Sequence, residues 1–356
     1  MQVDYLIAGQ GIAGAALSYH LMKSGARVLV VGNPDSPASS KVAAGLVNPL
    51  TGKKLAKTWQ ADILFPYLRD FYQQLEQELG AAFFHPTPIY RLFTSVQEQN
   101  TWIPRTALPE YQLFTRLVPG RLYTSWLENP HGGMEITGGG YVEVALLLNA
   151  YQQWLQQQDC FQAGQLAAKD VELTRDGVQW QDVRARKVIF CEGRSGEPNP
   201  YFDWLPFRPV KGELLKVQIP GVQPDHIINR HEFILPAREK NTFRAGATYE
   251  WNQLDWQPTG TARNELITRL NALLKVPFTI LDQQAGIRPA TADRRPFVGL
   301  HPEYPQLGIF NGMGTKGISL APLLARDFVA HLQQGKELNP EVHILRYLSL
   351  YYVNMK

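Results

Sequence analysis

The chain opens on a strand, a glycine-rich turn and a helix, the arrangement that most restricts its fold. Residues 3–8 (VDYLIA) form a short apolar run that is typical of a strand buried on both faces. Residues 9–14 (GQGIAG) follow at once, a helical pattern runs to Gly25, and residues 26–31 predict a second strand. This order indicates a βαβ unit in which backbone amides at the helix start face the phosphates of a dinucleotide. The residues assigned to that contact are Gly9, Gly11, Ile12, Ala13 and Gly14; the alternative is a turn in which glycines serve close packing alone.

The second predicted strand ends without the acidic residue that commonly holds a ribose hydroxyl of a dinucleotide. Gly32 and Asn33 occupy that position. Ribose recognition is therefore assigned to Asn33, to the backbone or to a more distant group. The room left by Gly32 would also admit a 2′-phosphate, but Lys41 is the first basic residue after the strand. NADP is accordingly disfavoured.

The rest of the chain alternates between helical and strand-like patterns. Residues 61–80, 142–157, 262–274 and 318–332 have the apolar spacing of helices. Strands are predicted at residues 171–180, as a hairpin around Asp176-Gly177, and at 187–191, 207–217, 233–236 and 243–249. Residues 81–139 mix aromatics and prolines with polar residues and lack a long helical period, which favours strands and irregular excursions of a second domain.

A second glycine cluster lies near the other end of the chain, directly before a predicted helix. It contains Gly312, Gly314 and Gly317, together with Lys316. Two helix N-termini can bind one large cofactor, and a flavin dinucleotide fits this arrangement, with its pyrophosphate at the first helix and the N1/C2=O edge of its ring at the second. That edge gains negative charge on reduction, so the helix dipole and Lys316 would stabilise the reduced form. The alternative is a glycine-rich turn that leads into a packing helix.

Composition favours small-molecule chemistry. The 35 Lys and Arg residues against 32 Asp and Glu residues leave a net charge of +3, which gives no strong attraction to nucleic acid or anionic lipid. Cys160 and Cys191 form no CxxC motif and the histidines form no HExxH motif, so neither a disulfide framework nor a metal site is expected. No apolar run approaches the length of a membrane span, and no basic segment precedes the first apolar stretch. A cytoplasmic protein is therefore expected.

Several short motifs occur in one order along nearly the whole chain. They are residues 9–14, Ser39-Ser40 with 43–46 (AAGL), 139–142 (GGYV), 188–193, 210–213 (VKGE), 246–248 (GAT), 286–289 (GIRP) with Asp293, Pro296 and Gly299, and 312–322. With these motifs the chain resembles the family of FAD-dependent amine and amino-acid oxidases that includes glycine oxidase, D-amino-acid oxidase and sarcosine oxidase. Glycine oxidase-like members are the most similar.

The resemblance implies a mixed α/β fold with two domains interleaved in sequence. A Rossmann-like FAD-binding domain is expected from residues 1–80, 140–207 and 286–356. A substrate-binding domain with a mainly antiparallel sheet is expected from residues 81–139 and 208–285. The implied activity is oxidation of the C–N bond of a small amino acid or secondary amine, by hydride transfer to flavin N5 and hydrolysis of the imine. Oxygen or another acceptor would take up the electrons.

The same resemblance implies the site residues, and Arg288 and Lys316 are the predicted catalytic ones. Arg288 matches the arginine that binds a substrate carboxylate, for which a planar bidentate donor is well suited; the alternative is a structural ion pair, for example with Asp293. Besides the first turn and Asn33, the predicted cofactor-binding residues are Ser40, Ala44, Gly45, Leu46, Gly193, Gly312, Met313, Gly314, Thr315, Lys316 and Gly317. Lys53, Lys57 or Lys316 would supply a positive charge that assists oxygen; exposed lysines without that role are the alternative.

The chain departs from the family pattern in ways that bear on its substrate. Lys211-Gly212 replaces an Arg-Gly pair, Met313 replaces a frequent histidine, and Thr315 stands where glycine oxidase-like members carry a second carboxylate-binding arginine. Glycine itself is therefore disfavoured. Two other functions stay open: oxidation of an aminomethyl-modified uridine in tRNA, as the flavin domain of the methylaminomethyl-uridine enzyme performs, and a non-catalytic flavin-binding protein.

Overall fold

A computed structural model describes residues 1–52, 55–194 and 199–354 of the 356-residue chain. The α-helices are α1 (Ile12–Lys23), α2 (Ser39–Val42), α3 (Ala61–Leu79), α4 (Val96–Arg105), α5 (Pro109–Gln112), α6 (Val144–Gln157), α7 (Gly260–Asn271), α8 (Gly317–Gln334) and α9 (Leu348–Asn354). The strands are β1 (Gln2–Ala8), β2 (Val28–Gly32), β3 (Leu46–Val47), β4 (Leu50–Thr51), β5 (Ala56–Lys57), β6 (Phe84–Pro86), β7 (Ile89–Leu92), β8 (Thr115–Leu117), β9 (Gly133–Ile136), β10 (Gly140–Val142), β11 (Phe161–Ala163), β12 (Glu172–Thr174), β13 (Gly177–Trp180), β14 (Val183–Phe190), β15 (Val210–Gln218), β16 (Ile227–Asn229), β17 (Phe233–Pro236), β18 (Thr242–Gly246), β19 (Thr279–Arg288), β20 (Phe297–Leu300) and β21 (Leu307–Asn311).

The first sheet has a parallel centre built around the strand that opens the chain. Its order is β11-β2-β1-β14, and β21 continues the parallel arrangement beyond β14. β14 pairs twice on that side, because residues 183–185 pair with antiparallel β13 and residues 188–190 pair with β21. The carboxyl ends of β1, β2, β14 and β21 therefore meet at one edge of the sheet.

Both faces of this sheet are buried, which explains why its central strands are almost continuously apolar. On one face Ile7 and Val30 pack into a cluster with side chains of α1, α3, α6 and α8. On the other face Leu6 and Phe190 pack into a second cluster that includes Tyr351 of α9. Successive residues of β1 thus belong to different halves of the core.

The second sheet is mainly antiparallel. Its order is β19-β15-β18-β17-β16-β7-β9-β8, with a parallel pair at β16 and β7. Its most extensive pairing joins β15 to β19, from Val210 opposite Arg288 to Gln218 opposite Thr279. Helix α7 packs Leu266 and Leu270 into an apolar cluster with side chains of β15 and β18. The pairing of β15 with β19 places Arg288 at one end of this sheet.

The two sheets draw on alternating parts of the chain. The first takes its strands from residues 2–32, 161–190 and 297–311, and the second from residues 89–136 and 210–288. A small third sheet, β3-β10-β6, joins residues from between these ranges. This distribution is compatible with interleaved domains, whose boundaries stay a prediction. No helix among the described residues combines the length and apolar character needed to cross a membrane.

The mixed α/β fold class is confirmed, and most predicted elements lie within a few residues of their expected bounds. The predicted strand at 243–249 is too long, because β18 ends at Gly246. Residues 81–139 form strands, as predicted, but they also form two helices that were not predicted, the short α5 and the longer α4. Its signal was local: Ser95 caps the helix by accepting a hydrogen bond from the Glu98 amide at 3.1 Å, a capping-box spacing.

Candidate functional site

A cavity of about 2040 Å³ opens where the carboxyl ends of the parallel strands meet. One wall includes Gly9 after β1, Cys191 after β14 and Gly312 after β21. The second sheet supplies another wall through residues 212–214 and 286–288. Ligands of open parallel sheets bind at this edge, and the volume exceeds the roughly 300–1,000 Å³ of common small-molecule pockets. This space, called the main cavity below, has room for a large cofactor together with a substrate.

The first glycine turn presents the start of α1 to the main cavity. Gly11 is the N-cap residue of α1 and has no side chain that could cap the helix. The backbone amide of Ile12 donates to Ser40 Oγ at 3.3 Å. An added Cβ at Gly14 would collide with the carbonyl oxygen of Gly9, so Gly14 allows the helix to pack closely on the turn. Gly14 is the exception among the predicted cofactor-binding residues, since the others line the main cavity.

The end of β2 is shaped by the first turn. A Cβ at Gly32 would lie 2.7 Å from Cβ of Gln10, so Gln10 occupies the space that a larger residue at position 32 would need. The Gln10 side chain is itself fixed, because its Nε2 donates to the Leu148 carbonyl at 2.8 Å. Asn33 is exposed in the wall of the main cavity, and its Oδ1 accepts from the Asp35 amide at 2.9 Å. The Asn33 amide group therefore leaves Nδ2 for a ligand in the cavity.

Lys316 lies at the second helix start, as the N-cap residue of α8. Its Nζ donates to Thr51 Oγ1 at 3.0 Å and to Thr58 Oγ1 at 2.9 Å. Burial, together with the positive charges of Arg295 and Arg294, lowers the pKa of Lys316 to about 8. Within residues 1–52, 55–194 and 199–354 no carboxylate forms an ion pair with it. The site thus holds a half-buried positive charge at the start of α8, a position that favours electron-rich groups.

The other lysines predicted to assist oxygen are placed differently. Lys57 also lines the main cavity, but its Nζ forms an ion pair with Asp62 at 2.6 Å. Lys53 lies outside the described residues. Of the two candidate lysines that the structure describes, Lys316 is the one that lies at a helix start.

Arg288 ends β19 and lies in the same cavity. Its Nη1 donates to the Thr248 carbonyl at 3.2 Å, and its guanidinium lies 4.7 Å from the ring centroid of Tyr249. Burial lowers the pKa of Arg288. The alternative of an ion pair with Asp293 is wrong, because the Asp293 carboxylate accepts from Arg346 Nε at 2.8 Å. The structure shows no carboxylate paired with Arg288 in the part of the chain that it describes.

The loop between β18 and α7 contributes residues that sequence reasoning missed. Tyr249, Trp251 and Trp256 line the main cavity. Beneath the loop, Lys211 of β15 is 1% exposed, and its Nζ donates to Asp255 Oδ1 and to the Gln257 carbonyl, each at 2.6 Å. The sequence signal was the run of aromatic residues that directly follows residues 246–248.

Glu192 is a second missed residue, and it lies directly after β14 beside the first glycine turn. Burial raises the pKa of its carboxyl group to about 7, although Asn199 Nδ2 donates to it at 3.3 Å. A carboxyl group that is largely protonated below neutral pH repels a neighbouring phosphate less than an ordinary glutamate does. The buried position therefore makes this residue compatible with an anion at the start of α1.

Comparison with known proteins gives one matching family model, described as FAD dependent oxidoreductase (DAO), over residues 4–331. A glycine oxidase of Bacillus licheniformis is 35% identical over 361 residues, which cover 90% of each chain. A tRNA 5-methylaminomethyl-2-thiouridine biosynthesis bifunctional protein of Marinobacter nauticus is 25% identical over 347 residues, which cover 90% of this chain but 54% of that protein. The chain thus spans about half the length of this relative.

Solved structures with the same fold include two oxidases. Glycine oxidase from Bacillus cereus has a TM-score of 0.79 and 21% identity, with coverage of 95% of this chain and 96% of the other. Iminodiacetate oxidase from Chelativorans sp. has a TM-score of 0.74 and 21% identity, with coverage of 96% and 98%. At this identity the likeness supports the fold.

Proposed function

The chain belongs to the DAO family of FAD-dependent oxidoreductases, and from this membership we propose that it oxidises the C–N bond of a small amino acid or secondary amine that carries a carboxylate. The glycine oxidase of B. licheniformis, at 35% identity, supports chemistry at a C–N bond. The main cavity supports a substrate beside the cofactor, because FAD-binding motifs and Arg288 lie in one continuous space.

The residues of the main cavity fit FAD. The starts of α1 and α8 both face the cavity, and neither N-cap residue caps its helix with its own side chain. Helix starts of this kind bind phosphates and other electron-rich groups. We assign the pyrophosphate to residues 9–13 with Ser40, the ribose to Asn33, and the flavin ring to residues 44–46 and 312–317. Gly193, after β14, also lines the space.

The observation that carries the proposal is the guanidinium of Arg288. It is largely buried and faces the main cavity, and the described residues give it a carbonyl and an aromatic ring but no anion. A buried cation of this kind needs an anionic partner, and a planar guanidinium matches a carboxylate with two parallel hydrogen bonds. The substrate carboxylate supplies that partner.

The proposed reaction divides between the cofactor and the chain. FAD, held by the residues assigned above, would supply the two-electron acceptor for a hydride from the substrate carbon that bears the nitrogen. Arg288 holds the carboxylate and so orients the carbon to be oxidised. Lys316 and the N-terminus of α8 stabilise negative charge at the end of the cavity where they lie. Water then adds to the released imine, which gives a carbonyl product and an amine.

Purified protein is expected to show the absorption bands of oxidised flavin, and these bands should bleach without oxygen when a suitable amine is added. A panel that contains N-methylglycine, the two enantiomers of alanine, and proline covers secondary and primary amines with a carboxylate. Bleaching by one or more of these supports the proposal. A flavin spectrum that no member of the panel changes would favour a non-catalytic flavin-binding protein.

Gly212→Ala is expected to weaken carboxylate binding while leaving the fold intact. An added Cβ would collide with the guanidinium of Arg288, and this far end of a flexible side chain can move away at little cost to stability, about 1 kcal/mol or less. The dissociation constant of (methylthio)acetate, which lacks the oxidisable C–N bond, should rise about tenfold or more in a titration of flavin absorption. An unchanged dissociation constant with an unchanged melting temperature would contradict the placement of Arg288 over Gly212.

Oxidation of an aminomethyl group on tRNA is the second candidate function. The M. nauticus relative is named for tRNA modification, and Arg230 and Arg269 lie in the wall of the main cavity, where they would attract phosphates. Micromolar binding of tRNA that weakens steeply as salt rises would support this function. Bleaching by free amines without such binding would favour the first proposal.

A further inference from the structure

Two aromatic rings stand exposed in the wall of the main cavity, and the proposed function leaves them without a role. Tyr249 is 56% exposed and Trp251 is 63% exposed. Their rings stack, with centroids 6.1 Å apart and planes inclined by 21°. Large aromatic groups exposed inside a concave, partly charged site are typical of ligand contact. Tyr249 and Trp251 are called the aromatic pair below.

The loop that carries the aromatic pair is tied down from below. Lys211 and Glu250 exchange two backbone hydrogen bonds, at 2.8 and 2.9 Å. The buried Nζ of Lys211 holds Asp255 and the Gln257 carbonyl. At the end of the loop, the Glu213 carboxylate accepts from the amide and the hydroxyl of Thr259, each at 2.9 Å. Rings on a fixed loop lose little entropy when a ligand stacks on them, so the aromatic pair is pre-organised for binding.

The aromatic pair is continuous with the proposed carboxylate site. The centroid of the Tyr249 ring lies 4.7 Å from the guanidinium of Arg288 and 6.1 Å from the centroid of the Trp251 ring. A substrate whose carboxylate is bound by Arg288 would have its remaining groups beside Tyr249, with Trp251 as the next ring in the same wall. An aliphatic substrate as small as N-methylglycine would leave this surface uncovered.

We propose that the substrate carries a planar aromatic group that stacks on the aromatic pair, and that Trp251 determines specificity for that group. The inference rests on the proposed function, because it uses Arg288 to anchor the carboxylate. The aromatic group is attached to the amine nitrogen or to the carbon next to the carboxylate. An aromatic group at either position would stack in the same way, and the test below distinguishes the two positions.

The test compares matched substrates on one enzyme. N-benzylglycine is set against N-methylglycine for attachment at nitrogen, and the two enantiomers of phenylalanine are set against those of alanine for attachment at carbon. The quantity measured is the ratio of kcat/KM for the aromatic member of a pair to that for its aliphatic partner. In the unaltered protein we expect a ratio of roughly tenfold or more in one pair, the scale of a stacked aromatic contact together with its buried area.

Trp251→Ala is expected to bring that ratio down to about one to two, while Trp251→Phe keeps most of it because a ring remains. Taking a ratio on the same preparation removes any effect of misfolded or flavin-free protein. Tyr352→Ala is the matched control, since Tyr352 is 54% exposed and lies on α9 outside the main cavity. It should leave the ratio unchanged.

A binding measurement separates this inference from the proposed function. (Benzylthio)acetate and (methylthio)acetate replace the oxidisable nitrogen with sulfur, and their dissociation constants follow from changes in flavin absorption. Suppose that the aliphatic substrates are oxidised and that the aromatic-to-aliphatic ratio of kcat/KM is the same before and after Trp251→Ala. This result would overturn the inference and leave the proposed function standing. Tighter binding of the benzyl compound that depends on Trp251, with no oxidation of any amine, would support the aromatic site and overturn the proposed function.

Discussion

Arg288→Ala is expected to lower kcat/KM for a carboxylate-bearing amine by roughly 30- to 900-fold. This range corresponds to about 2 to 4 kcal/mol, the scale for removing one partner of a buried, hydrogen-bonded charge pair. The guanidinium lies over Gly212 in the wall of the main cavity, and its described contacts leave room for an anion. Steady-state rates with N-methylglycine measure the effect if that amine bleaches the flavin; otherwise the best substrate of the panel takes its place.

The control for Arg288→Ala is a measurement with a substrate that lacks the carboxylate. Dimethylamine has the same oxidisable C–N bond as N-methylglycine, so Arg288→Ala should leave its low rate nearly unchanged. Arg288→Lys keeps the charge and loses the planar pair of donors, and an intermediate loss is expected. Arg175→Ala, in the exposed β12–β13 turn, should behave as the unaltered protein. Equal losses with both substrates would mean that Arg288 does not bind the carboxylate.

Lys316→Met is expected to slow substrate-dependent reduction of the flavin by roughly 10- to 100-fold and yet to stabilise the apoprotein. The loss of rate follows from removing a preorganised positive charge from the start of α8, where negative charge develops. The gain in stability follows from burial, which lowers the pKa of Lys316 to about 8. Methionine fills similar space without the cost of desolvating a charge, on the order of 1 to 3 kcal/mol.

The stabilisation of the apoprotein by Lys316→Met should depend on pH. Lys316 has a lower pKa in the folded protein than the roughly 10.4 of an unfolded lysine. Below about pH 8 the lysine is charged in both states and the full cost of burial is present. Between about pH 8 and 10.4 the folded protein loses the proton first, so stability rises with pH. The stabilisation by Lys316→Met, measured by denaturant unfolding of the apoprotein, should therefore be largest near pH 7 and shrink towards pH 10.

Lys187→Met is the matched control for the lysine variant. Lys187 is also half-buried with a pKa lowered by burial, but it lies on β14 outside the main cavity, and its Nζ donates to the Pro305 carbonyl at 2.6 Å. It should leave flavin reduction unchanged. If Lys316→Met destabilises the apoprotein at pH 7, the lysine makes a net favourable contribution through Thr51 and Thr58, and the explanation by desolvation is wrong.

Local sequence signals predicted the strands of the first sheet and the two helix starts that face the main cavity. The strand, turn and helix of residues 2–23 follow from apolar runs and glycine spacing, which depend on neighbours in the chain. The second helix start, at residues 312–317, could be found for the same reason. Gly14 was assigned to the cofactor from its position in the motif. That position alone does not show whether a glycine contacts a ligand or allows the helix to approach Gly9.

The substrate end of the main cavity could not be predicted in the same way, because it is formed by contacts between residues far apart in sequence. Lys211 is buried because Asp255 and Gln257 reach it from a loop more than forty positions later. Asp293 pairs with Arg346 of the C-terminal segment rather than with its near neighbour Arg288. The packing of Tyr249 against Arg288 requires β15, β18 and β19 to lie side by side. No short window of sequence contains these relations.

The pairing of β14 with β21, and the packing of α1 on α8, make the main cavity depend on segments that lie far apart in the sequence. β21 and α8 lie within residues 307–334, respectively more than 100 residues after β14 and more than 290 after α1. Without residues 307–334 the first glycine turn would face an incomplete cavity, and α1 would expose the side on which α8 packs. The cavity proposed to bind the flavin is therefore complete only when these segments have folded together.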